Sequence, residues 1–220
     1  MTEPLPVSGA GELDREAAKR ALALARERAA VVIGPGLGQE AATREFVRQF
    51  LSQCPVPVVV DADGLNALGG GPRSPAEFLR GVPAVVTPHP GEMARLMGAA
   101  VTDVQRERLE TARGFAKRSG AIVVLKGQRT LVADPSGRAA VNPTGNPGMA
   151  SGGTGDVLAG ILGALLARRC APWLAATAAV FVHGSAGDRA LARLGASSLL
   201  AGDLADSLPG AVRALAGARA

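Results

Sequence analysis

The chain has no tyrosine, one tryptophan and five phenylalanines in 220 residues, so aromatics make up only 3% of a sequence that is 47% hydrophobic. Its core must therefore be built from Ala, Val, Leu and Ile, which suits helices packed closely on a sheet. Cysteine is nearly as scarce. Cys54 and Cys170 stand alone without paired spacing, so neither a zinc site nor a disulfide framework is suggested, and a reducing cytoplasm is the expected setting. No charged segment leads into a short apolar stretch at the start, and no apolar run reaches the roughly 20 residues needed to cross a bilayer, so neither a leader nor a membrane span is expected.

What is present is a modest positive balance, 24 Lys and Arg against 19 Asp and Glu. A charge of +5 is compatible with nucleic acid, a membrane surface or a small anionic ligand. Its distribution argues against nucleic acid. Arg15, Lys19, Arg20, Arg26 and Arg28, and then Arg106, Arg108, Arg113, Lys117 and Arg118, fall on presumed helix surfaces interleaved with Glu, as solvated faces do.

The length suits one α/β domain. Apolar β-branched runs at 30–34, 56–61, 84–87 and 121–126 predict parallel strands covered on both faces. Two shorter strands at 130–133 and 138–142 flank Asp134-Pro135-Ser136-Gly137 and predict an antiparallel hairpin. Helices are predicted at 13–28, 42–53, 91–97, 103–119, 156–168, 173–194 and 203–215. The fold class is thus α/β, a mostly parallel central sheet flanked by helices on both faces, with an antiparallel hairpin at one edge.

The segment from Asn142 through Gly145-Asn146-Pro147-Gly148-Met149 to Ser151-Gly152-Gly153-Thr154-Gly155-Asp156 is rich in glycine and runs into an apolar helix. Glycines let backbone amides approach an anion, and the helix start adds its free amides and positive dipole end. No Lys-Ser/Thr pair closes the loop, so it is not a Walker loop; Asp156 stands there instead. A carboxylate beside an anion cradle repels phosphate unless it accepts a proton from the attacking hydroxyl. The plainer alternative is a helix cap.

Other candidates lie at strand ends, where open α/β sheets place ligands. Gly34-Pro35-Gly36-Leu37-Gly38 is a ligand loop or a tight turn. Asp61 and Asp63, with Asn66, are suited to a metal's waters or a ribose, or to capping the next helix. His89, set between Pro88 and Pro90, has a rigid loop suited to ligand contact. His183, in an apolar helix, reads as a satisfied helix residue. Lys126-Gly127-Gln128-Arg129-Thr130 is a nucleotide contact or a bulged turn.

Taken in order, Gly34 to Gly38, Asp61 to Asn66, Thr87-Pro88-His89-Pro90-Gly91-Glu92, Lys126-Gly127 and Gly145 to Asp156 resemble the ADP- or ATP-dependent NAD(P)H-hydrate dehydratases. The likeness spans nearly the whole chain and implies a ribokinase-like fold. It implies repair of (6S)-hydrated NADH and NADPH: phosphorylation of the C6 hydroxyl, then loss of phosphate, giving NAD(P)H and, from ADP, AMP. Asp156 would take the hydroxyl proton, and the amides of Gly152, Gly153 and Gly155 would stabilise the phosphoryl group. By the same resemblance Gly36, Gly38, His89 and Asp156 line the hydrated nucleotide, and Lys126, Gly127, Gln128, Arg129 and Thr130 with Gly155 hold the adenine nucleotide. Glu92 takes the place of an acid that organises Mg²⁺ through water, and a homo-oligomer, in bacterial relatives a tetramer, is expected. The family usually carries a further βα unit before the point matched by Met1, so the domain over 1–220 is expected to be N-terminally incomplete. A vitamin-precursor or sugar kinase of the same fold, and a non-catalytic nucleotide-binding protein, are the alternatives.

Overall fold

The structure, a computed structural model, describes residues 2–7, 11–69 and 73–217. Six strands form one sheet in sequence order: β1 (Val31–Ile33), β2 (Val58–Val60), β3 (Ala84–Val86), β4 (Ile122–Leu125), β5 (Leu131–Ala133) and β6 (Ala139–Val141). The first four are parallel; β5 and β6 turn back as an antiparallel hairpin. Each strand lies inside the range its β-branched run predicts.

The inner strands β2 to β5 read as continuous apolar runs because both faces are covered, whereas Val32 of β1 and Val141 of β6 stay exposed at the sheet edges. Val58, Val60, Val86, Val123 and Leu125 face one cluster, while Val59, Val85, Ile122 and Val124 face the other. On the first face lie α1 (Arg15–Arg26), α2 (Ala41–Gln53), α4 (Pro90–Met97) and α6 (Arg108–Ser119), with Leu22, Phe46, Val47, Met93 and Phe115 joining its buried cluster. Against the second pack α7 (Thr154–Ala167) and α8 (Pro172–Leu194), through Leu158, Leu162, Ala176 and Ala179. Finally α9 (Ala201–Gly217) lies on α8, where Leu204 and Ala211 meet Val182 and Ala186. With few aromatics, this core is mostly alanine and branched aliphatics, joined by Phe46, Phe50, Phe78, Phe115 and Met93. Among the described residues no helix is long and apolar enough to cross a membrane, and Cys54 and Cys170 are both free.

Two local expectations are corrected. The helix predicted over 103–119 is two helices, α5 (Val101–Arg106) and α6, broken at Glu107, whose φ of -123° and ψ of 42° leave the helical region. The break turns Arg108 inward, off the solvated face assigned to it: its guanidinium donates to the carbonyls of Leu125 at 3.2 Å and Lys126 at 3.4 Å. The residues after β2 form a single turn, α3 (Asp63–Asn66), whose N-cap Ala62 makes no side-chain bond, so neither Asp61 nor Asp63 caps it.

Parallel pairing brings the exits of β1, β2, β3 and β4 to one end of the sheet. Val141 of β6 pairs with Leu131, so Asn142 and the glycine-rich loop set out from that same end.

Candidate active site

At the exit of β1, Gly34 has a φ of +131°, and a Cβ there would overlap the Asp61 carbonyl oxygen, so only glycine lets the loop pass β2 so closely. The loop is then held by Asp63, which accepts the Gly38 amide at 3.0 Å and the Gln39 side-chain amide at 3.1 Å. Gly36 and Gly38 have φ of +74° and +83°. Asn66 continues the network: its Oδ1 accepts from Arg95 at 2.7 Å.

At the exit of β3, His89 is the N-cap of α4. Its Nδ1 accepts the amides of Gly91 at 3.0 Å and Glu92 at 3.3 Å, while Glu92 Oε2 accepts the His89 amide at 2.7 Å. This reciprocal cap, with Pro90 at the first helical position, fixes the ring. With Nδ1 occupied as an acceptor, the proton resides on Nε2, on a side chain that is 48% exposed.

Between these loops lies a buried charge cluster. Lys126, at the exit of β4, donates to Asp61 Oδ1 at 2.7 Å and lies 3.8 Å from Glu92 Oε2. Asp61 is 1% exposed and Glu92 5%. The N-terminus of α7 sits directly over the cluster: a Cβ on Gly155 would be 3.5 Å from Lys126 Nζ and 3.8 Å from Asp61 Oδ2.

The cradle itself comes from the start of α7. Gly153 is the N-cap, with a φ of +85° and no side-chain cap bond. Among the described residues no acceptor within the chain takes the amides of Gly152, Gly153, Gly155 or Asp156. Such orphan amides, at the positive end of a helix dipole, make an anion site. Asp156, in the first turn, is exposed and unbonded, so it is not the cap of α7. Ser151 Oγ is withdrawn from solvent without a partner.

The loop before it is buttressed by α8. Asn142 Nδ2 donates to the Val180 carbonyl at 3.1 Å, Thr144 Oγ1 to the Phe181 carbonyl at 3.1 Å, and Asp188 accepts from Gly145 and Asn146. Thr154 Oγ1 donates to the carbonyls of Met149 at 2.8 Å and Ser151 at 2.9 Å. His183 Nε2 lies 2.8 Å from the Thr154 carbonyl. Burial first, and the Lys126 charge as well, hold its pKa below the usual histidine value, so the neutral ring donates there.

The structure thus brings Gly152, Gly153, Gly155, Asp156, Lys126, His89 and Glu92 to one end of the sheet, with Gly36 and Gly38 on the neighbouring loop. In the 126–130 loop, Gly127 and Arg129 have positive φ, and Thr130 Oγ1 donates to the Gly127 carbonyl at 3.0 Å. Gln128 and Arg129 are exposed and make no hydrogen bond to the cradle. Sequence reasoning left three contributors out of the site. From the sequence, Asp61 suits a metal, a ribose or a cap, Arg108 falls on a solvated face, and Asp188 has no assigned role. The signal for Asp188 was the pair Gly184 and Gly187 inside a helix, where glycine is unfavourable without a packing reason.

A mostly parallel sheet with a hairpin at its edge, and an anion cradle backed by an unbonded aspartate at the strand exits, define the ribokinase-like class. Within that class the chain belongs to the NAD(P)H-hydrate dehydratase family, whose model matches residues 1–210. It is 45% identical over 217 residues to the bifunctional NAD(P)H-hydrate repair enzyme of Moorella thermoacetica, covering 98% of this chain and 40% of that protein. It is 42% identical to the ADP-dependent (S)-NAD(P)H-hydrate dehydratase of Neisseria meningitidis, covering 79% of this chain and 60% of that one. The ADP/ATP-dependent NAD(P)H-hydrate dehydratase of Bacillus subtilis, co-crystallised with ATP and Mg²⁺, superposes with a TM-score of 0.73 at 37% identity, over 84% of this chain and 64% of that chain. The chain therefore spans less than two thirds of these relatives' length.

Proposed function

We propose that this chain carries the nucleotide-dependent dehydration of (6S)-hydrated NADH and NADPH, with ADP or ATP as phosphoryl donor. The observation that carries this reading is the set of unbonded amides at Gly152, Gly153, Gly155 and Asp156, with the free Asp156 carboxylate on the same helical turn. The relatives' activities support the choice of acceptor.

Asp156 takes the proton of the C6 hydroxyl as its oxygen attacks the terminal phosphorus of the donor. The bond from that phosphorus to the leaving oxygen breaks, releasing AMP from ADP or ADP from ATP, and the amides of the cradle bear the developing charge. The ring nitrogen's lone pair then expels phosphate by breaking the C6–O bond. Loss of a proton from C5 restores the double bond. Lys126, fixed by Asp61 beneath Gly155, adds a positive charge under the cradle, and Gly36, Gly38 and His89 hold the hydrated ring.

Mg²⁺ fits this donor set as a water-carrying ion. Among the described residues no group of three or more His, Cys, Asp or Glu forms a protein cage. The buried carboxylates at the strand exits are Asp61, which already accepts from Lys126, and Glu92, whose oxygens face the amide and ring of His89. Mg²⁺ keeps several waters and takes phosphate oxygens readily, so Glu92 would hold it through water, and the ion would neutralise phosphate charge.

The substitution Asp156→Asn tests the assignment. Nucleotide affinity by calorimetry is expected to stay unchanged while kcat falls about 10²- to 10⁴-fold, the usual contribution of a positioned base. Turnover at the wild-type rate would remove Asp156 from the chemistry.

A further inference from the structure

Asp188, well inside α8, spends its whole carboxylate on the far end of the cradle loop. Oδ2 accepts the Gly145 amide at 3.0 Å and Oδ1 accepts the Asn146 side-chain amide at 2.9 Å. Asn146 Oδ1 in turn accepts the Gly148 amide at 3.1 Å. The Met149 carbonyl receives Thr154 Oγ1, and the Thr154 carbonyl meets His183 Nε2. A chain of hydrogen bonds therefore leaves α8 at Asp188, runs through the loop to the first residue of α7, and returns to α8 at His183.

The helix surface between the two anchors is cut to let the loop lie on it. A Cβ on Gly184 would stand 2.8 Å from the Thr144 carbonyl carbon and 2.9 Å from the Gly145 nitrogen, and one on Gly187 would overlap the Met149 sulfur. Two glycines in a helix interior weaken the helix. Close approach of the loop backbone is the compensating gain. A carboxylate near a phosphate cradle is also unfavourable electrostatically, yet among the described residues no Lys or Arg pairs with Asp188. Its charge is directed at the two loop donors alone.

We propose that Asp188 is a positioning residue for phosphoryl transfer. It fixes Gly145 and Asn146 and, through Met149 and Thr154, sets the start of α7. The cradle amides and Asp156 are thereby held in register with the donor. The inference rests on the proposed function only as far as nucleotide use is concerned.

The test compares wild type with Asp188→Asn and Asp188→Ala, using calorimetry with ADP·Mg²⁺ and ATP·Mg²⁺, the thermal midpoint, and steady-state dehydration of the hydrate. Asp188→Asn keeps the side-chain shape and one acceptor, which guards against a variant that simply fails to fold. Because misplacement of reacting groups by about 1 Å can cost roughly 10²-fold, kcat and nucleotide affinity are expected to drop about tenfold or more in Asp188→Asn and further in Asp188→Ala. The KM for the hydrate should change less than the nucleotide affinity, since of the residues that line it only Asp156 sits on the cradle helix, and Gly36, Gly38 and His89 sit on other loops. Nucleotide affinity and kcat within about twofold of wild type in both variants, whatever happens to the melting point, would overturn the proposal and leave Asp188 a stabilising contact. Wild-type protein that binds nucleotide yet leaves the hydrate unchanged would instead overturn the dehydratase reading, with the affinity comparison at Asp188 still decisive.

Discussion

Lys126 Nζ lies 2.7 Å from Asp61 Oδ1, joining the exits of β4 and β2 across 65 positions of sequence, with both groups largely out of the solvent. Glu92 Oε2 stands 3.8 Å from the same ammonium. One cation thus serves two buried carboxylates, and the pair is only as favourable as its completeness. Removing one partner of a buried ion pair typically costs about 3–5 kcal/mol, because a desolvated charge is left behind.

Lys126→Met is therefore expected to destabilise the fold by about 3–5 kcal/mol in urea titrations, and more than Asp61→Asn does. The first leaves two carboxylates facing each other; the second leaves Lys126 with Glu92. Equal effects would mean that Glu92 takes no part in the cluster.

The buried ring of His183 makes stability depend on pH. Its folded pKa is depressed, mainly by burial, whereas the unfolded value is about 6.5. Above that value the neutral ring costs nothing and its bond to Thr154 is retained; below it the unfolded chain takes up a proton that the folded chain refuses. The stabilisation is full above the unfolded pKa and is lost as pH falls through the folded one. Thermal midpoints measured on the acid side of neutrality should fall more steeply for wild type than for His183→Gln, which keeps a donor for the Thr154 carbonyl without titrating. Parallel slopes would take His183 out of the linkage.

Two glycine-to-alanine changes have opposite expected signs. Gly184→Ala drives a methyl into the backbone of Thr144 and Gly145 and should cost about 1–3 kcal/mol, as overpacking does. Gly160→Ala, in α7 with nothing within 4 Å of the new methyl, should gain up to about 1 kcal/mol from helix propensity. Denaturant midpoints for the two variants decide the matter.

Much of this was visible in the sequence for a physical reason. Val58 to Val60 and Ile122 to Leu125 read as strands because coverage on both faces leaves no polar alternation to confuse the pattern. The turn into α7 was legible because Gly153, at a φ of +85°, takes a conformation that favours glycine. Long-range pairings were not visible. Nothing local in the sequence says that Lys126 meets Asp61 or that Arg108 closes on the carbonyls of Leu125 and Lys126, and the Gly184 and Gly187 pair marks a close approach to α8 without naming Gly145 as the partner of Asp188. The break at Glu107 was hidden for a related reason: its flanking residues are good helix formers, and the turn exists to aim Arg108 at a partner elsewhere in the fold.

Arg108 gives a prediction of its own. Burial lowers its pKa, and its NH groups close on the carbonyls beside Gly127, where a Cβ would stand 3.1 Å from the guanidinium. Arg108→Lys loses the planar fork but keeps the charge. The KM for the nucleotide should rise about tenfold while the KM for the hydrate holds, as steady-state kinetics with each substrate varied will show.

The proposed reaction couples phosphoryl transfer to dehydration. The most direct measurement is the near-ultraviolet absorbance of reduced nicotinamide after the protein and Mg²⁺ are mixed with hydrated NADH and either ADP or ATP. The account predicts a rise that depends on the nucleotide and is matched by release of phosphate. A flat trace with both donors, from protein shown by calorimetry to bind them, would contradict it.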